Sequence, residues 1–482
     1  MTASSQSPAL VWLRDDLRLG DNPAIQAALA TERPVHLLYV FDQQSPDLRP
    51  LGGAARWWLG RSLGSLAEQI EKLGGPLILR RGKAGDVLPA VIDETQSATV
   101  VWNRRYGAAE IALDTRIKAN LTQRGIEVTS CNAALLHEPW TVQTQAKGPF
   151  RVFTPFFRAA SQIATRPPTH APKNGRWAKP IESDTLNDWN LEPSKPDWAG
   201  GLRDAWTPGE DGAREALADF LERGIHGYAQ KRDRPDLENT SRLSPYLRFG
   251  NISPHQALSA LRHAQDAGEV KAADATKFVS EIYWREFSYH LLFHYPDLAD
   301  ANFNKKFDAL EWRNDKGFER AWQRGLTGYP LIDAGMRQLW QTGWMHNRVR
   351  MVVASFLIKH GQIDWRHGER WFWDTLVDAD PASNAASWQW VAGSGADAAP
   401  YFRVFNPILQ GEKFDPAGEY VRRFVPELAN LPKKFIHTPW LADEATLRKA
   451  GVKLGETYPR PIVDHAAARQ RALDGFARIR GD

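Results

Sequence analysis

Apolar residues in the first third of the chain fall in short blocks separated by longer amphipathic stretches. The blocks "ALVWL" (9–13), "VHLLYVF" (35–41), "PLILR" (76–80), "ATVVWN" (98–103) and "IEVTSC" (126–131) have the length and β-branched content of buried parallel strands. Between them, "DNPAIQAALAT", "AARWWLGRSLGSLAEQIEKLGG", "AGDVLPAVIDETQ" and "AAEIALDTRIKANLTQRG" repeat with helical period, several closing on Gly. Five strands alternating with helices predict a doubly wound parallel α/β domain over residues 8–133. Such a sheet takes ligands beyond the carboxyl ends of its strands. The Gly-x-Gly-x-x-Gly fingerprint of a standard dinucleotide site is missing after the first strand,.

From 134 to 210 the periodicity fades, and Pro, Trp and polar residues dominate, as in "ATRPPTHAPKNGRWAKPIESD". That stretch reads as a long interdomain linker on the surface, with one helix near "FTPFFRAASQIA". Residues 211–482 are dominated by helical patterns such as "GAREALADFLERG", "ATKFVSEIYWREFSYHLLFHY" and "HNRVRMVVASFLIKHG". A large all-α C-terminal domain is the expectation there. No internal repeat is visible.

At 482 residues the chain exceeds what one core holds,. An apolar share of 43% and a charged share of 24% belong to a water-exposed globular protein, and no apolar run nears the ~20 residues of a membrane span. The opening "MTASSQSPALVWLRDD" lacks a basic segment followed by an apolar one, so export is not expected. The single Cys131 rules out an internal disulfide or a Cys-based metal centre and reads best as an inert thiol. His346, His360 and His367 show no metal-binding spacing,.

Net charge is +4, a mild bias toward a polyanionic partner. Basic clusters beside aromatics, "RNDKGFERAWQR" and "HNRVRM", strengthen it, although they also suit solvated helix faces. The chain holds 20 Trp. An indole can give up one electron, and its face stacks on a base or a flavin. Trp312, Trp365, Trp388 and Trp390 lie in the segments richest in motifs, which points to redox chemistry beside a nucleic acid. A Trp-rich core accounts for most of the rest.

Four segments carry candidate chemistry. In "HGYAQKRDRPDLENTSRLSPYLRFGNISP", Thr240 to Ser244 (Thr240, Ser241, Arg242, Leu243, Ser244) open a predicted helix whose free N–H groups and hydroxyls suit an anion. Arg242 suits a phosphate or a carboxylate, and Tyr228 and Arg232 lie a helical turn apart upstream. Ordinary N-capping is the other reading. In "FVSEIYWREFSYH", Phe278, Glu281, Arg285 and Ser288 share a helix face with Trp284, so that carboxylate, indole and guanidinium could form a base-reading pocket. A buried ion pair under a core Trp is the alternative. In "WMHNRVRM", Asn347 and Met351 flank Arg348, a set able to touch base edges, phosphates and a planar ring. Arg350 suits a carboxylate partner, and Asp378 or Asp380 in "LVDADPASN", just before Asn384, are the candidates. They suit a heterocycle with N–H and acceptor atoms, or a capped turn.

Taken in order, "LVWLRDDLRLGDNPAI", "TSRLSPYLRFGNIS", "SEIYWREF", "GLTGYPLIDAGMRQLWQTGWMHNRVRM" and "DADPASNAASWQW…GADAAPYFRVFNPILQGEKFD" resemble the photolyase/cryptochrome family over nearly the whole chain. The "HNR" at 346–348 resembles its branch that repairs cyclobutane pyrimidine dimers, and class I is the expected subclass. The resemblance implies an α/β antenna domain, a linker and a helical domain holding FAD. It implies light-driven repair, in which photoexcited reduced FAD passes an electron to a dimer flipped out of DNA.

Site residues follow from the same resemblance. FAD is expected on Tyr228, Thr240, Ser241, Arg242, Leu243, Ser244, Phe278, Glu281, Arg285, Asn347, Arg350, Asp378, Ala379, Asp380 and Asn384, with the Asn384 amide toward flavin N5. Asn at that place is typical of photolyases, whereas plant and animal cryptochromes usually differ. Trp388, Trp365 and Trp312 match an inward electron relay and, with Glu281 and Asn384, are the catalytic residues that the resemblance implies. Glu281, Trp284, Arg285, Asn347, Arg348, Met351 and Trp390 match the dimer pocket, and Arg232, Arg403 and Gln410 resemble DNA contacts. The partner implied is UV-damaged DNA, single- or double-stranded and of any sequence. A cytoplasmic monomer, on the nucleoid when DNA is bound and without a membrane, is expected.

Two departures stand out. Folate-antenna members carry Asn–Glu after the fourth strand, where this chain has Ala109–Glu110. Glu110 keeps methenyltetrahydrofolate as the favoured antenna, with 8-hydroxy-5-deazaflavin or no antenna open. Phe278 stands where some members have Trp. Two rival functions also remain, a blue-light receptor and a DNA-binding flavoprotein with a dark redox role. Asn384 and Trp390 favour repair.

Overall fold

The five apolar blocks become five strands in the computed structural model, which describes residues 7–398 and 402–480: β1 Ala9–Leu13, β2 Val35–Phe41, β3 Leu77–Arg81, β4 Thr99–Asn103 and β5 Glu127–Cys131. They form one parallel sheet in the order β3-β2-β1-β4-β5. Helices α1 Pro23–Leu29, α2 Gly53–Lys72, α3 Ala84–Thr95 and α4 Ala108–Gln123 make the crossovers. In register, Val11 lies opposite Leu37 on one side and Val101 on the other. Strand order reverses at β1, so the crevice of this sheet lies beyond the carboxyl ends of β1 and β4,.

β1, β2 and β4 are buried at every position. Strands covered on both faces need no polar alternation, which is why they read as unbroken apolar runs. β5, at the edge, is half-exposed. Trp12 and Trp102, partners across β1 and β4, meet edge to face at 5.7 Å and 76°, a contact worth ~0.5–1.5 kcal/mol beyond its buried area.

The stretch 134–210 is anchored to the sheet. It holds α5 Phe153–Ala160, a 3₁₀ turn Leu186–Trp189 and a short helix Gly200–Ala205. Trp177 donates its indole N–H to Leu73 O at 2.8 Å, Ala178 N bonds Val35 O, and Trp189 stacks on Phe41 at 5.2 Å. Indoles thus fasten a segment that has no periodicity of its own.

The chain divides into two compact units that do not follow chain order. The first takes the described residues up to Phe150, then Thr154–Arg223 and Ser241–Pro296; the second takes Arg151–Phe153, Gly224–Thr240 and the described residues from Asp297 on. The long helix Ala272–His294 therefore belongs with the sheet. From Glu210 onward the described residues form helices and turns, with one isolated bridge between Leu454 and Tyr458. The second unit's core gathers Trp322, Trp365, Trp388 and Phe372 with Val349, Val353 and Leu357. No helix among the described residues is long and apolar enough to cross a membrane.

Candidate functional site

In the second unit the candidates converge on the start of the helix Pro381–Ala392. Asp380 is its N-cap, accepting from Ala382 N at 3.0 Å and Ser383 N at 2.7 Å through one oxygen. Pro381, at the first position, has no N–H to satisfy. Asp378, two residues earlier and buried, takes both arms of Arg350 at 3.1 and 2.8 Å. Arg350 also donates its Nε to Met345 O at 2.7 Å. A bidentate pair of this kind fixes the guanidinium plane as well as its charge. The capped turn and the Arg350 ion pair, both open on sequence alone, occur together.

One helical turn on, the Asn384 amide is buried, and both its N–H groups meet one residue. Nδ2 lies 3.0 Å from Glu369 O and 2.8 Å from Glu369 Oε1. Glu369 is only 3% exposed. With its donors directed at Glu369, the amide presents its carbonyl oxygen as the acceptor for any guest. Glu369 was not among the sequence candidates. Its signal was a lone acid in the aromatic run "WRHGERWFW", one turn after Trp365.

The three relay candidates are bedded separately. Trp388 sits edge-on to Phe372 at 5.0 Å and to Trp322 at 6.3 Å. It reaches that depth because the facing residue is Gly368, where a Cβ would lie 2.1 Å from the indole. Trp365 is fully buried and donates its N–H to Asn302 Oδ1 at 2.9 Å. Trp312 is half-buried against the same core.

The helix Asn347–Ser355 begins at the cap His346, whose Nδ1 accepts from Arg348 N at 3.2 Å. Burial drives the pKa of His346 down to about 4, so the ring stays neutral near pH 7 and keeps an acceptor nitrogen. Asn347 is exposed, Met351 is half-buried, and Arg348 pairs with Asp233 at 2.6 Å while lying 4.5 Å over Phe414. Arg232 approaches the same Asp233 at 3.6 Å and covers Tyr228 at 5.7 Å. Gln410 is half-buried on the helix Pro407–Phe414. Trp390 donates its N–H to Asp397 O at 3.0 Å, and Arg403 is exposed above Phe405.

The first unit holds the remaining candidates, and two expectations change there. The helix expected from Thr240 begins at Ser244, with Leu243 as its cap and no side-chain capping bond. Arg242 breaks the approach, with φ +50° in the left-handed region,. Its guanidinium stacks 4.1 Å over Trp206 and donates to Ala205 O at 3.3 Å. Ser241 Oγ accepts from Leu243 N at 3.4 Å.

On the helix Ala272–His294, Arg285 does not lie on Glu281. Arg285 donates to Ala134 O at 2.7 Å and covers Tyr289 at 4.9 Å, whereas Glu281 pairs with Lys277 at 2.9 Å. The half-buried Ala134 carbonyl thus holds the guanidinium instead. Phe278 is buried on Phe220 at 4.8 Å. Trp284 is half-buried with its edge on Phe287, and Ser288 Oγ bonds back to Trp284 O.

Glu110 lies in the first turn of α4, folded over Gly107, just beyond β4. The crevice end of the sheet is rich in charge there. Arg14 meets Asp114 at 2.6 Å, and Asp15 meets Arg248 at 2.8 Å.

Comparison with known proteins gives a consistent picture. Residues 9–173 match the DNA photolyase model, and residues 278–478 match the FAD binding domain of DNA photolyase. The chain is 53% identical to the deoxyribodipyrimidine photo-lyase of Agrobacterium fabrum, with 98% of each covered. It is also 37% identical to cryptochrome-1 of Arabidopsis thaliana, covering 98% of this chain and 70% of that one. A crystal structure described as a bacterial class III photolyase from Agrobacterium tumefaciens superposes with a TM-score of 0.96 at 52% identity, all of both chains being covered. That description names class III, so the class I subclass expected from the sequence is not supported. The resemblance had rested on motifs shared across the family, and these do not separate its subclasses.

Proposed function

The chain belongs to the photolyase/cryptochrome family, and on that premise we propose how its residues serve the family's chemistry. Its activity is light-driven repair of pyrimidine dimers in DNA, and its cofactor is FAD. We assign it to the class III branch and to the cyclobutane dimer as lesion. Bound FAD supplies the hard chemistry, an electron given to the dimer on absorbing light and afterwards returned.

The Asn384–Glu369 pair is the observation that carries the assignment of roles. Because both Asn384 donors meet Glu369, the carbonyl oxygen suits an N–H edge of a heterocycle, as reduced flavin presents at N5. The Arg350–Asp378 pair holds a second polar edge in a fixed plane. The donor set therefore fits FAD. Asp380 and Ala379 complete that edge, Asn347 reaches it from its helix start, and Tyr228 and Thr240 serve the phosphates in the second unit. In the first unit Ser241, Arg242, Leu243 and Ser244 serve the phosphates, with Phe278, Glu281 and Arg285 on the helix Ala272–His294. Trp388, Trp365 and Trp312 supply electrons inward from solvent.

Glu281, Trp284 and Arg285 in the first unit, and Asn347, Arg348, Met351 and Trp390 in the second, are the groups assigned to the flipped dimer. Stacking on an indole replaces the stacking lost, and a cross-linked pair is easier to extrude than normal bases. Arg232, Arg403 and Gln410 hold the strand by its backbone, so binding weakens with salt and ignores sequence. Glu110 holds a folate antenna, and the protein acts as a monomer in the cytoplasm. Signalling, the cryptochrome reading, is disfavoured by Asn384. The test is direct: UV-irradiated oligothymidine is mixed with chemically reduced protein and lit with near-ultraviolet to blue light. Recovery of the thymine absorbance band is expected. No recovery removes the repair reading for this chain.

A further inference from the structure

Beside Trp390 the second unit opens a cavity of about 680 Å³, a size that holds small ligands. Its charge is one-sided. Arg151, Lys305, Lys306, Lys359 and Arg403 line it against a single acid, Asp397. Asp397 Oδ2 accepts the backbone N–H of Phe153 at 3.3 Å. Lys305 and Lys306 are exposed and form no ion pair among the described residues. Aromatic rings floor the space, with Phe402 stacked on Phe476 at 4.5 Å and 10°.

Lys359 is the unusual wall residue. It is 3% exposed, lies within the π-helical turn Phe356–His360, and rests its Nζ 2.5 Å from Arg403 O and 4.2 Å over the Phe402 ring. Burial, helped by Arg403, lowers its pKa to about 7. An apolar residue of similar size would fill that place without the desolvation penalty of an amine. The lysine instead holds its ammonium at the cavity wall, between the Arg403 carbonyl and the Phe402 ring.

We propose that this cavity is a phosphodiester subsite for the DNA strand carrying the lesion, with Lys305, Lys306 and Lys359 as its contacts and Trp390 at its border. The proposal rests on the repair reading above. Five cations over aromatic rings suit a backbone phosphate with its attached nucleoside. Contacts of this kind place a strand without reading it, as repair at any sequence requires. The cavity thereby sets which stretch of backbone next to the dimer is gripped.

Binding to reduced protein in the dark tests this with two probes, a bare thymine dinucleotide photodimer and the same dimer within a short oligothymidylate. The variants are the double substitution Lys305→Ala with Lys306→Ala, and Lys359→Met. The double variant is expected to lose about tenfold in affinity for the oligonucleotide and about 1.4 from its salt slope, for two single-strand contacts. Affinity for the bare dimer stays at the wild-type value. Lys359→Met repeats the selective loss; if it does not fold, the double variant decides. Oligonucleotide affinity and salt slope unchanged in the folded variants overturn the subsite and leave repair standing. Wild-type protein that binds neither probe overturns both.

Discussion

In the first unit Trp12, Trp57, Trp58 and Trp102 are at most 2% exposed and pack against one another or against neighbouring rings. Trp12 and Trp57 bury their N–H groups with no protein acceptor. In the second unit Trp365 and Trp390 each hold the N–H on an oxygen, of Asn302 and Asp397 respectively. Trp12 and Trp57 tolerate an unsatisfied donor for the sake of buried area, whereas Trp58 donates its own to Asn251 Oδ1 at 3.0 Å. Trp365 and Trp390 are held in a set orientation, as electron donation or stacking demands. Abundance of tryptophan is therefore no guide to function. An unsatisfied indole N–H marks a packing role, while a satisfied one is shared by packing indoles such as Trp58 and Trp322 and by the candidates.

The sharpest break in that comparison is Trp388→Phe. The ring remains aromatic and buried, but the easily oxidised indole is gone. Photoreduction of oxidised FAD is expected to fall by about a hundredfold or more, ~2.7 kcal/mol of barrier, while repair by chemically reduced protein is retained. Absorbance changes under blue light with an external reductant give the first number, and thymine recovery gives the second. Equal loss of both would place Trp388 with the packing indoles.

Trp284, in the first unit, is half-buried and meets Phe287 edge to face. Trp284→Ala is expected to weaken binding of damaged DNA by about 1–3 kcal/mol, the worth of a lost stacking contact. Titration of the reduced protein in the dark measures it. Unchanged affinity would assign the exposed face of Trp284 to solvent.

What the sequence disclosed follows the same division. The sheet strands were legible to within one residue, β1, β2 and β4 because strands buried on both faces must be continuous apolar runs,, and the half-exposed β5 through its β-branched Val128 and Thr129,. The helix start near Thr240 was misplaced because a left-handed residue, Arg242, leaves no mark in hydropathy. Helical spacing put Arg285 and Glu281 on one face with an ion pair as one of two readings, and the carbonyl of Ala134, 151 residues away, holds Arg285 instead. Glu369 was missed for a like reason. Its partner Asn384 lies 15 residues on, in another helix, so no local period connects them. Contacts made by the backbone periodicity itself are readable, and those made by side chains across the fold are not.

Buried charge extends the contrast between the units to pH. Glu286 in the first unit is pushed by burial up to about 7, although Leu136 N and His137 N donate to it. Its contribution to stability is complete below the ordinary carboxylate pKa and is lost as pH rises through about 7. Lys359 in the second unit is lowered to about 7. Its contribution is complete above the ordinary amine pKa and is lost as pH falls through about 7. Glu286→Gln should flatten the acid side of the profile and Lys359→Met the alkaline side, each by ~1–2 kcal/mol after local relaxation. Urea unfolding across pH 4 to 10 reads both. A profile moved by neither variant would mean that water reaches both groups.

Trp12→Phe should have the smallest effect. It removes part of a fully buried ring, which costs stability by leaving a small void. It also removes an indole N–H that has no acceptor, and an unsatisfied buried donor itself costs about 1–3 kcal/mol. The two terms oppose, so stability should stay within about 1 kcal/mol of wild type, with photoreduction and repair unaltered. Trp365→Phe has no such offset, because it strands Asn302 Oδ1, the acceptor its indole now fills. Urea midpoints for the pair should therefore separate, with Trp365→Phe the less stable. If Trp12→Phe proves as damaging as Trp365→Phe, the N–H of Trp12 has a partner after all, and the two populations of indoles differ only in location.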